Sequence, residues 1–231
     1  MLGRDGRVLP ADAGLESDVP AGFHSWLLAD ESRSHAYDLL SNLVVPRPIA
    51  FVSSLSASGE PNLAPFSFFI IGGVDPPSLA FCPVRNKDGQ KKATLANIEE
   101  TGEFVVNLVN KAMAEGMNHT GVDYPDGSSK WGMSGFTGLS STVVKPERVR
   151  ESPVHFECRV HEIVEHGASS YVIGEVLVAH VSEELFDPET RKWTRFEPIA
   201  RLGGAEYMDL ACGKVFEMKR PTPSAPTSVD L

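Results

Sequence analysis

Apolar and polar positions alternate along most of the chain between residues 49 and 181, with a period that favours strands over helices. Ile49–Leu55 is rich in β-formers and runs into Ser56-Ala57-Ser58-Gly59, a polar turn with its glycine last; Asn62–Ile71 then resumes an apolar run, so the pair reads as a hairpin. Pro65 interrupts ladder pairing, which places it at an edge or a bulge. Asp75-Pro76-Pro77 predicts a rigid turn, because each proline removes a donor and restrains its predecessor, and Ser78–Cys82 is a further strand. Phe104–Val109 is another. In Val154–His161 the period is strictly two, with Val154, Phe156, Cys158 and Val160 inward and His155, Glu157, Arg159 and His161 on the polar, solvated face. Tyr171–Val181 is apolar on both faces, which suits burial under a second layer or a second subunit.

Helical periodicity is confined to short pieces. Ser34–Leu43 predicts one helix, stopped before Pro46 and Pro48; Lys92–Glu100 predicts another, with Thr94 placed to cap it, Leu95 and Ile98 on one face and Gly102 after the last turn. Residues 110–142 read as irregular, with short helical pieces around Lys111–Met117 and a Gly-rich stretch after Trp131, where the safer reading of Trp131 is a loop anchor. Their length suits a functional loop or lid. Helices this few, and not interleaved one per strand, disfavour a doubly wound α/β sheet; the expected class is mostly β, closed as an antiparallel barrel, since closure removes unpaired edges. The chain reads as an N-terminal arm over residues 1–33, in which Phe23, Trp26, Leu27 and Leu28 are placed to pack on the body or on a partner. One domain follows over residues 34–216, then a loose tail over residues 217–231 with three prolines.

Composition narrows the function. With 21 Lys+Arg against 31 Asp+Glu the formal net charge is -10, which repels phosphate backbones and argues against a general nucleic-acid binder. Cys82, Cys158 and Cys212 are far apart and odd in number, so reduced thiols are expected rather than a disulfide or zinc framework. The N-terminus lacks the apolar core of a signal peptide and no stretch of about 18 apolar residues occurs, so the expected location is the cytoplasm. Of the seven histidines, His119 is the one placed to approach a pocket; no HExxH and no Gly-x-Ser-x-Gly elbow occurs.

Two local patterns carry candidate chemistry. Arg85-Asn86-Lys87-Asp88-Gly89-Gln90-Lys91-Lys92 sets four positive charges against one negative directly before the Thr94 helix, whose start offers backbone N–H groups and a favourable dipole end to a phosphate. The same residues describe a solvated, charged turn. Phe51-Val52-Ser53-Ser54-Leu55 faces Asn62-Leu63-Ala64-Pro65-Phe66-Ser67-Phe68-Phe69, small hydroxylated residues beside aromatics on adjacent strands, which gives a slot for a planar heterocycle. A β-barrel core with a proline bulge has that signature too.

Taken together the motifs resemble the flavin reductase-like family, the FMN-binding split barrels. The resemblance is carried by Asn42–Ser53 (NLVVPRPIAFVS), Asn62–Phe69, Asp75-Pro76-Pro77, Thr94-Leu95-Ala96-Asn97-Ile98, Gly102–Asn107, Glu151-Ser152-Pro153 and Ala200–Tyr207, in order from about residue 36 to 214. It implies a Greek-key split β-barrel with a few short helices, forming a homodimer with FMN near the subunit interface and the Tyr171–Val181 strand on the buried dimer face. By likeness, Ser53, Ser54 and Leu55 and the segment Pro65, Phe66 and Ser67 line the isoalloxazine ring, while Arg85, Lys92, Thr94 and Asn97 serve the ribityl-phosphate end, with Arg47 a further neighbour. Two departures stand out. Ala93 occupies a position where the family often has Asp. The segment Arg201-Leu202-Gly203-Gly204 has no histidine nearby, whereas NADH-dependent reductases often carry one, and this weighs against direct NAD(P)H use.

The resemblance implies an FMN-dependent oxidoreductase that passes electrons from NAD(P)H or a reduced partner to flavin, oxygen or a small organic acceptor. No side-chain acid or base is required for hydride arrival at a flavin, so the lack of a catalytic dyad is no objection. The competing readings are a non-catalytic flavin-binding or carrier protein, and a split barrel built around another planar cofactor such as haem or a deazaflavin.

Overall fold

The computed structural model describes residues 22, 24–29, 31–86, 88–122, 129–215 and 218. It divides into two units, residues 1–45 with 202–206, and residues 46–201 with 207–231. Most of the expected N-terminal arm, Phe23 included, and nearly all of the expected tail lie outside the described residues.

In the first unit Ser32 accepts a hydrogen bond from the His35 N–H and so starts helix α1 (Arg33–Leu43), which ends where the Val44 N–H donates to the Leu40 carbonyl. Its Tyr37, Leu40 and Leu43 are exposed, as are Trp26, Leu27 and Leu28 before it. The backbone of Gly203 lies so close to α1 that a Cβ there would stand 3.2 Å from the Cα of Asn42.

The second unit is built on strands β1 (Ala50–Leu55), β2 (Pro61–Phe66), β3 (Phe69–Val74), β4 (Pro77–Phe81), β5 (Glu103–Asn107), β6 (Gly138–Leu139), β7 (Arg148–Val149), β8 (Val154–His166), β9 (Ser169–Val181), β10 (Phe186–Asp187), β11 (Lys192–Trp193), β12 (Ile199–Arg201) and β13 (Tyr207–Asp209). Seven of them form one sheet in the order β2-β1-β5-β8-β9-β4-β3, every neighbouring pair antiparallel. Consecutive strands β2 and β3 therefore occupy opposite edges, joined only by Ser67 and Phe68. A chain of that length spans at most about 11 Å. The edges of a flat seven-stranded sheet lie roughly 29 Å apart. The sheet must roll until its edges approach, and because β2 and β3 do not pair, the result is a split antiparallel β-barrel with a few short helices.

The hairpin of β1 and β2 and the turn at Asp75–Pro77 form as expected, with a cis bond before Pro76. The single run expected over Asn62–Ile71 is instead two strands, because Ser67 and Phe68 carry the crossing. Pro65 sits on β2, an edge strand, where its missing N–H leaves no ladder bond unmade.

Two apolar clusters share the strands. Ala50, Val52, Phe69, Phe81, Phe104, Val106, Cys158 and Val172 fill one, into which helix α2 (Ala93–Thr101) inserts Leu95 and Ile98. Ile49, Phe51, Leu63, Val109 and Val149 form the other on the opposite face of β1, with Met113 and Met117 from the 3₁₀ turn Lys111–Met113 and helix α3 (Ala114–Thr120). Helix α4 (Lys130–Ser134) anchors there through half-buried Trp131, whose indole nitrogen is buried with no hydrogen-bond partner among the described residues. The expectation of short helical pieces in this region holds; residues 123–128 lie outside the described residues.

Phe156, Cys158 and Val160 face the first cluster as the alternation predicts, and Val154 is buried. Burial pushes the thiols of Cys82 and Cys158 up from their ordinary range, which keeps them protonated and inert; the three cysteines are free. The other face of β8 is not solvated as expected. His155 and Glu157 are buried, because residues 142–144 cover the Glu157 carboxylate and the Val149 carbonyl lies against the His155 ring; His161 is exposed as expected. Among the described residues no helix is long and apolar enough to cross a membrane.

One position tests the packing of the barrel. A Cβ on Gly174 of β9 would lie 2.3 Å from Cζ of Phe104, a fully buried ring wedged edge-on against Phe81. Gly174→Ala is expected to lower stability by about 1–3 kcal/mol in urea denaturation, and adding Phe104→Leu is expected to recover part of that loss.

Candidate functional site

Helix α2 lies across the β1–β2 hairpin, and a short polar seam fixes it there. Ser54 and Asn62 are directly opposite each other in the hairpin, and Thr94 and Asn97 are three residues apart on one face of the helix. Asn62 Nδ2 donates to Thr94 Oγ1 at 2.7 Å, and Asn97 Nδ2 donates to Ser54 Oγ at 3.2 Å. All four are buried, beside Leu95 and Ile98 in the first apolar cluster. A buried polar group without a partner is strongly unfavourable, so paired groups of this kind set one position for the helix rather than a range.

The start of α2 follows from that placement. Lys92, not Thr94, occupies the N-cap position, with extended backbone angles and no side-chain cap, and Gly102 closes the helix in the left-handed region as expected. Thr94 is a residue of the first turn that points at the hairpin, because its hydroxyl accepts from Asn62. The preceding turn is tight: the Asp88 and Gln90 N–H groups both donate to Asn86 Oδ1, and Gly89 takes a positive φ of 77°. The basic stretch is partly committed. Lys91 Nζ reaches the Glu99 carboxylate at 2.5 and 2.8 Å, and Arg85 donates to Glu165 at 3.4 Å; Lys87 lies outside the described residues. These pairs are partly exposed, where an ion pair contributes little, so a bound dianion can compete for the cations.

The remaining sequence-predicted residues fall elsewhere. Ser53 and Ser54 leave β1 on opposite sides: Ser53 donates to the Glu147 carbonyl, beside Asn107, whose amide donates to the Phe51 carbonyl and accepts from the Val149 N–H. Leu55 is half-buried at the strand end. Pro65, Phe66 and Ser67 lie at the crossing, where Phe66 packs on Phe81 with ring centroids 5.1 Å apart and Arg47 Nε donates to Ser67 Oγ at 3.3 Å. Thus Ser54, Thr94 and Asn97 are brought together with Lys92 at the helix start, and Arg47 with Ser67, while Ser53 joins neither group. His119 is exposed. Asn62 was not among the predicted site residues; its signal was the hairpin register, which sets it opposite Ser54.

Sequence reasoning also missed a buried carboxylate that organises the neighbouring loop. Glu157 accepts from the N–H groups of Thr142 (2.7 Å), Val143 (2.7 Å) and Val144 (3.2 Å) and from His180 Nε2 (2.7 Å). Burial alone would raise its pKa, but the three N–H groups and His180 outweigh burial and hold the carboxyl below its usual range. The loop so fixed leads into Glu147, the acceptor for Ser53, and into Arg148, which donates to the Ser140 carbonyl at 2.7 Å. His155, opposite His180 in the sheet, is pushed down by burial and holds the Val149 carbonyl at 2.8 Å.

Comparison with known proteins agrees with this architecture. Residues 41–197 match the family model described as flavin reductase like domain. The chain is similar to the nitrilotriacetate monooxygenase component B of Bacillus cereus, with 30% identity and a TM-score of 0.78 over 86% of this chain and 100% of that one. It is similar to the 2-nitrobenzoate 2-nitroreductase of Pseudomonas fluorescens, with 34% identity and a TM-score of 0.76 over 88% of this chain and 100% of that one. An uncharacterized protein of Halalkalibacterium halodurans is 35% identical over 197 residues, 83% of this chain and 93% of the relative.

The Glu157 cluster predicts a pH dependence. A carboxyl with a depressed folded pKa contributes stability that is complete above the unfolded value of about 4.3 and is lost as pH falls through the lower folded value. Glu157→Gln places an amide donor against N–H donors and is expected to lower stability by about 2–3 kcal/mol at neutral pH. It should also flatten the acid limb of a plot of stability against pH; an unchanged acid limb would assign that limb to other carboxylates.

Proposed function

The chain belongs to the flavin reductase-like family, and on that premise we propose that it is an FMN-binding oxidoreductase whose cofactor phosphate rests at the start of α2. The observation that carries this reading is the start of that helix. It has no side-chain cap, carries Lys92 at the cap position with Arg85 nearby in sequence, and is fixed over the hairpin by the Ser54–Asn97 and Asn62–Thr94 bonds. First-turn N–H groups and the positive end of the helix dipole favour a dianion.

The residues present fit the group. Lys92, Arg85 and the first-turn backbone would hold the phosphate, and Ser54, Thr94 and Asn97 would fix the backbone around it. Leu55 and the segment Pro65, Phe66 and Ser67 would border the ring, with Arg47 beside Ser67 and Ser53 on the far side of β1 holding the Glu147 loop. FMN, when bound, supplies the electron storage. The chain supplies binding, orientation and exclusion of water, which requires no side-chain acid or base. In this reading electrons arrive from NAD(P)H or a reduced partner and leave to flavin or a small acceptor. That two similar proteins are a monooxygenase component and a nitroreductase supports redox chemistry.

We read the protein as a cytoplasmic homodimer with the cofactor near the interface. Supporting this, Ile70, Ile71 and Val74 on edge strand β3 and Tyr171 on β9 are exposed. An unpaired apolar edge of that kind is a surface that proteins cover.

The phosphate assignment is tested by comparing two ligands. Lys92→Ala is expected to weaken FMN binding about tenfold, the loss of one charge-assisted hydrogen bond, and to leave riboflavin binding unchanged in fluorescence titrations. Equal losses for both ligands would refute it. Anaerobic mixing of the FMN-loaded protein with NADH or NADPH is expected to bleach the flavin. Protein that binds FMN but keeps its colour with both nucleotides is a carrier or is fed by a partner.

A further inference from the structure

The segment over residues 137–150 is tied to the sheet from three sides. Glu157 accepts from the N–H groups of Thr142, Val143 and Val144. Asn107 accepts from the Val149 N–H at 2.8 Å, and Ser53 donates to the Glu147 carbonyl. His155 Nε2 meets the Val149 carbonyl at 2.8 Å. A carbonyl only accepts, so Nε2 carries the hydrogen of the neutral ring and Nδ1 is a bare acceptor. His155 is 7% exposed, and its Nδ1 is buried with no hydrogen-bond partner among the described residues.

Nδ1 is the one atom at which this ring can take a second proton. There the proton would sit on a buried N–H without an acceptor, in a ring that has become a cation. The neighbours offer little relief. Strand β5 sets neutral Asn107 opposite His155, and β9 sets His180 opposite it with ring centroids 6.2 Å apart. Strand β7 brings the Arg148 guanidinium, whose Nε lies 3.9 Å from Glu157 Oε1. Glu157, two residues along the same strand, has both oxygens engaged already. Its Oε1 accepts from the Thr142 N–H and His180 Nε2, and its Oε2 from the Val143 and Val144 N–H groups.

We propose that His155 is an acid-triggered latch, whose protonation releases residues 137–150 from β1 and β5 while the barrel stays folded. Opening gives Nδ1 to water, and it lets go of Ser53 and Asn107 together because both hold residues 147–149. Burial first, and then Arg148 and His180, push His155 below its ordinary range; the Val149 carbonyl and Glu157 act the other way and are outweighed. In the opened segment the ring returns to its ordinary value of about 6.5. Opening therefore takes up a proton. Its equilibrium constant rises by up to about tenfold per pH unit as pH falls from about 6.5 to the closed-state value, and then levels off. Glu157 acts separately and in stronger acid, below about 4.3. The latch stands on bonds within the chain and does not rest on the flavin reading.

Native-state hydrogen exchange on the purified full chain, followed by NMR between about pH 5 and 7.5, tests the latch. Exchange rates are taken relative to those of an unprotected chain at the same pH. Protection of the Val149 and Val143 N–H groups is expected to fall by up to about tenfold per pH unit below about 6.5. It is expected to stay below the protection of Val105 and Val106 in β5 throughout, which marks the opening as local. His155→Gln keeps a donor for the Val149 carbonyl and cannot take a proton, so its protection is expected to be flat over this range. His180→Gln, which keeps a donor for Glu157, is expected to retain the wild-type slope. A slope that survives in folded His155→Gln, or that disappears in His180→Gln, would overturn the proposal. So would protection of Val149 equal to that of β5 at every pH, because the loss would then be unfolding of the whole sheet. A circular dichroism melt at pH 7.5 checks that each variant is folded. If His155→Gln is not, the wild-type His155 ring signal decides: a titration midpoint below about 6.5 supports the latch and one at or above it refutes it.

Discussion

The two-residue crossing at Ser67 and Phe68 constrains everything else in the second unit. Because β2 and β3 lie at opposite edges of one sheet, so short a link cannot be made unless the sheet is rolled. Rolling gives the strands an inside, filled by Phe81, Phe104, Cys158 and Val172, and an outside, where α3 and α4 cover Phe51 and Leu63. It also draws Ser67 to Arg47 and so brings β2's end to the segment before β1. Helix α2 inserts Leu95 and Ile98 into the rolled sheet, and its polar seam then fixes where the helix begins.

Two kinds of polar device divide the labour around β1. On one side Asn97 and Thr94 bind the hairpin to α2 through neutral hydrogen bonds, which have no charge to titrate at ordinary pH. On the other, Ser53 and Asn107 bind β1 and β5 to the segment 147–149, and that segment depends on the buried Glu157 carboxylate. The first device is insensitive to acid and the second is not. The helix start is therefore held by the more robust of the two.

Much of this was legible in the sequence. The β1–β2 hairpin, the proline turn after β3, the inward set on β8 and the glycine stop of α2 follow from period and turn chemistry, and the family likeness drew on those segments. What failed did so where a local pattern has two physical solutions. The apolar run Asn62–Ile71 continues through Ser67 and Phe68 without a change of period, so nothing local marks the change of edge. His155 and Glu157 alternate as surface residues do, yet a covering loop buries them. Thr94 has the chemistry of a cap but the Asn62 amide claims its hydroxyl, a contact that only the hairpin register reveals. The backbone pairing of Arg47 with Arg201, and of Arg201 with Tyr207, joins distant parts of the chain and has no local signature at all.

The account turns on the geometry of an anion at one helix end. A crystal structure of the protein with FMN measures it directly. The account predicts the phosphorus atom within hydrogen-bond reach of the first-turn N–H groups of α2 and of Lys92 Nζ, with the ring plane running toward Pro65 and Ser67. A flavin bound with its phosphate away from α2, or a helix start closed off by protein in the complex, would contradict it.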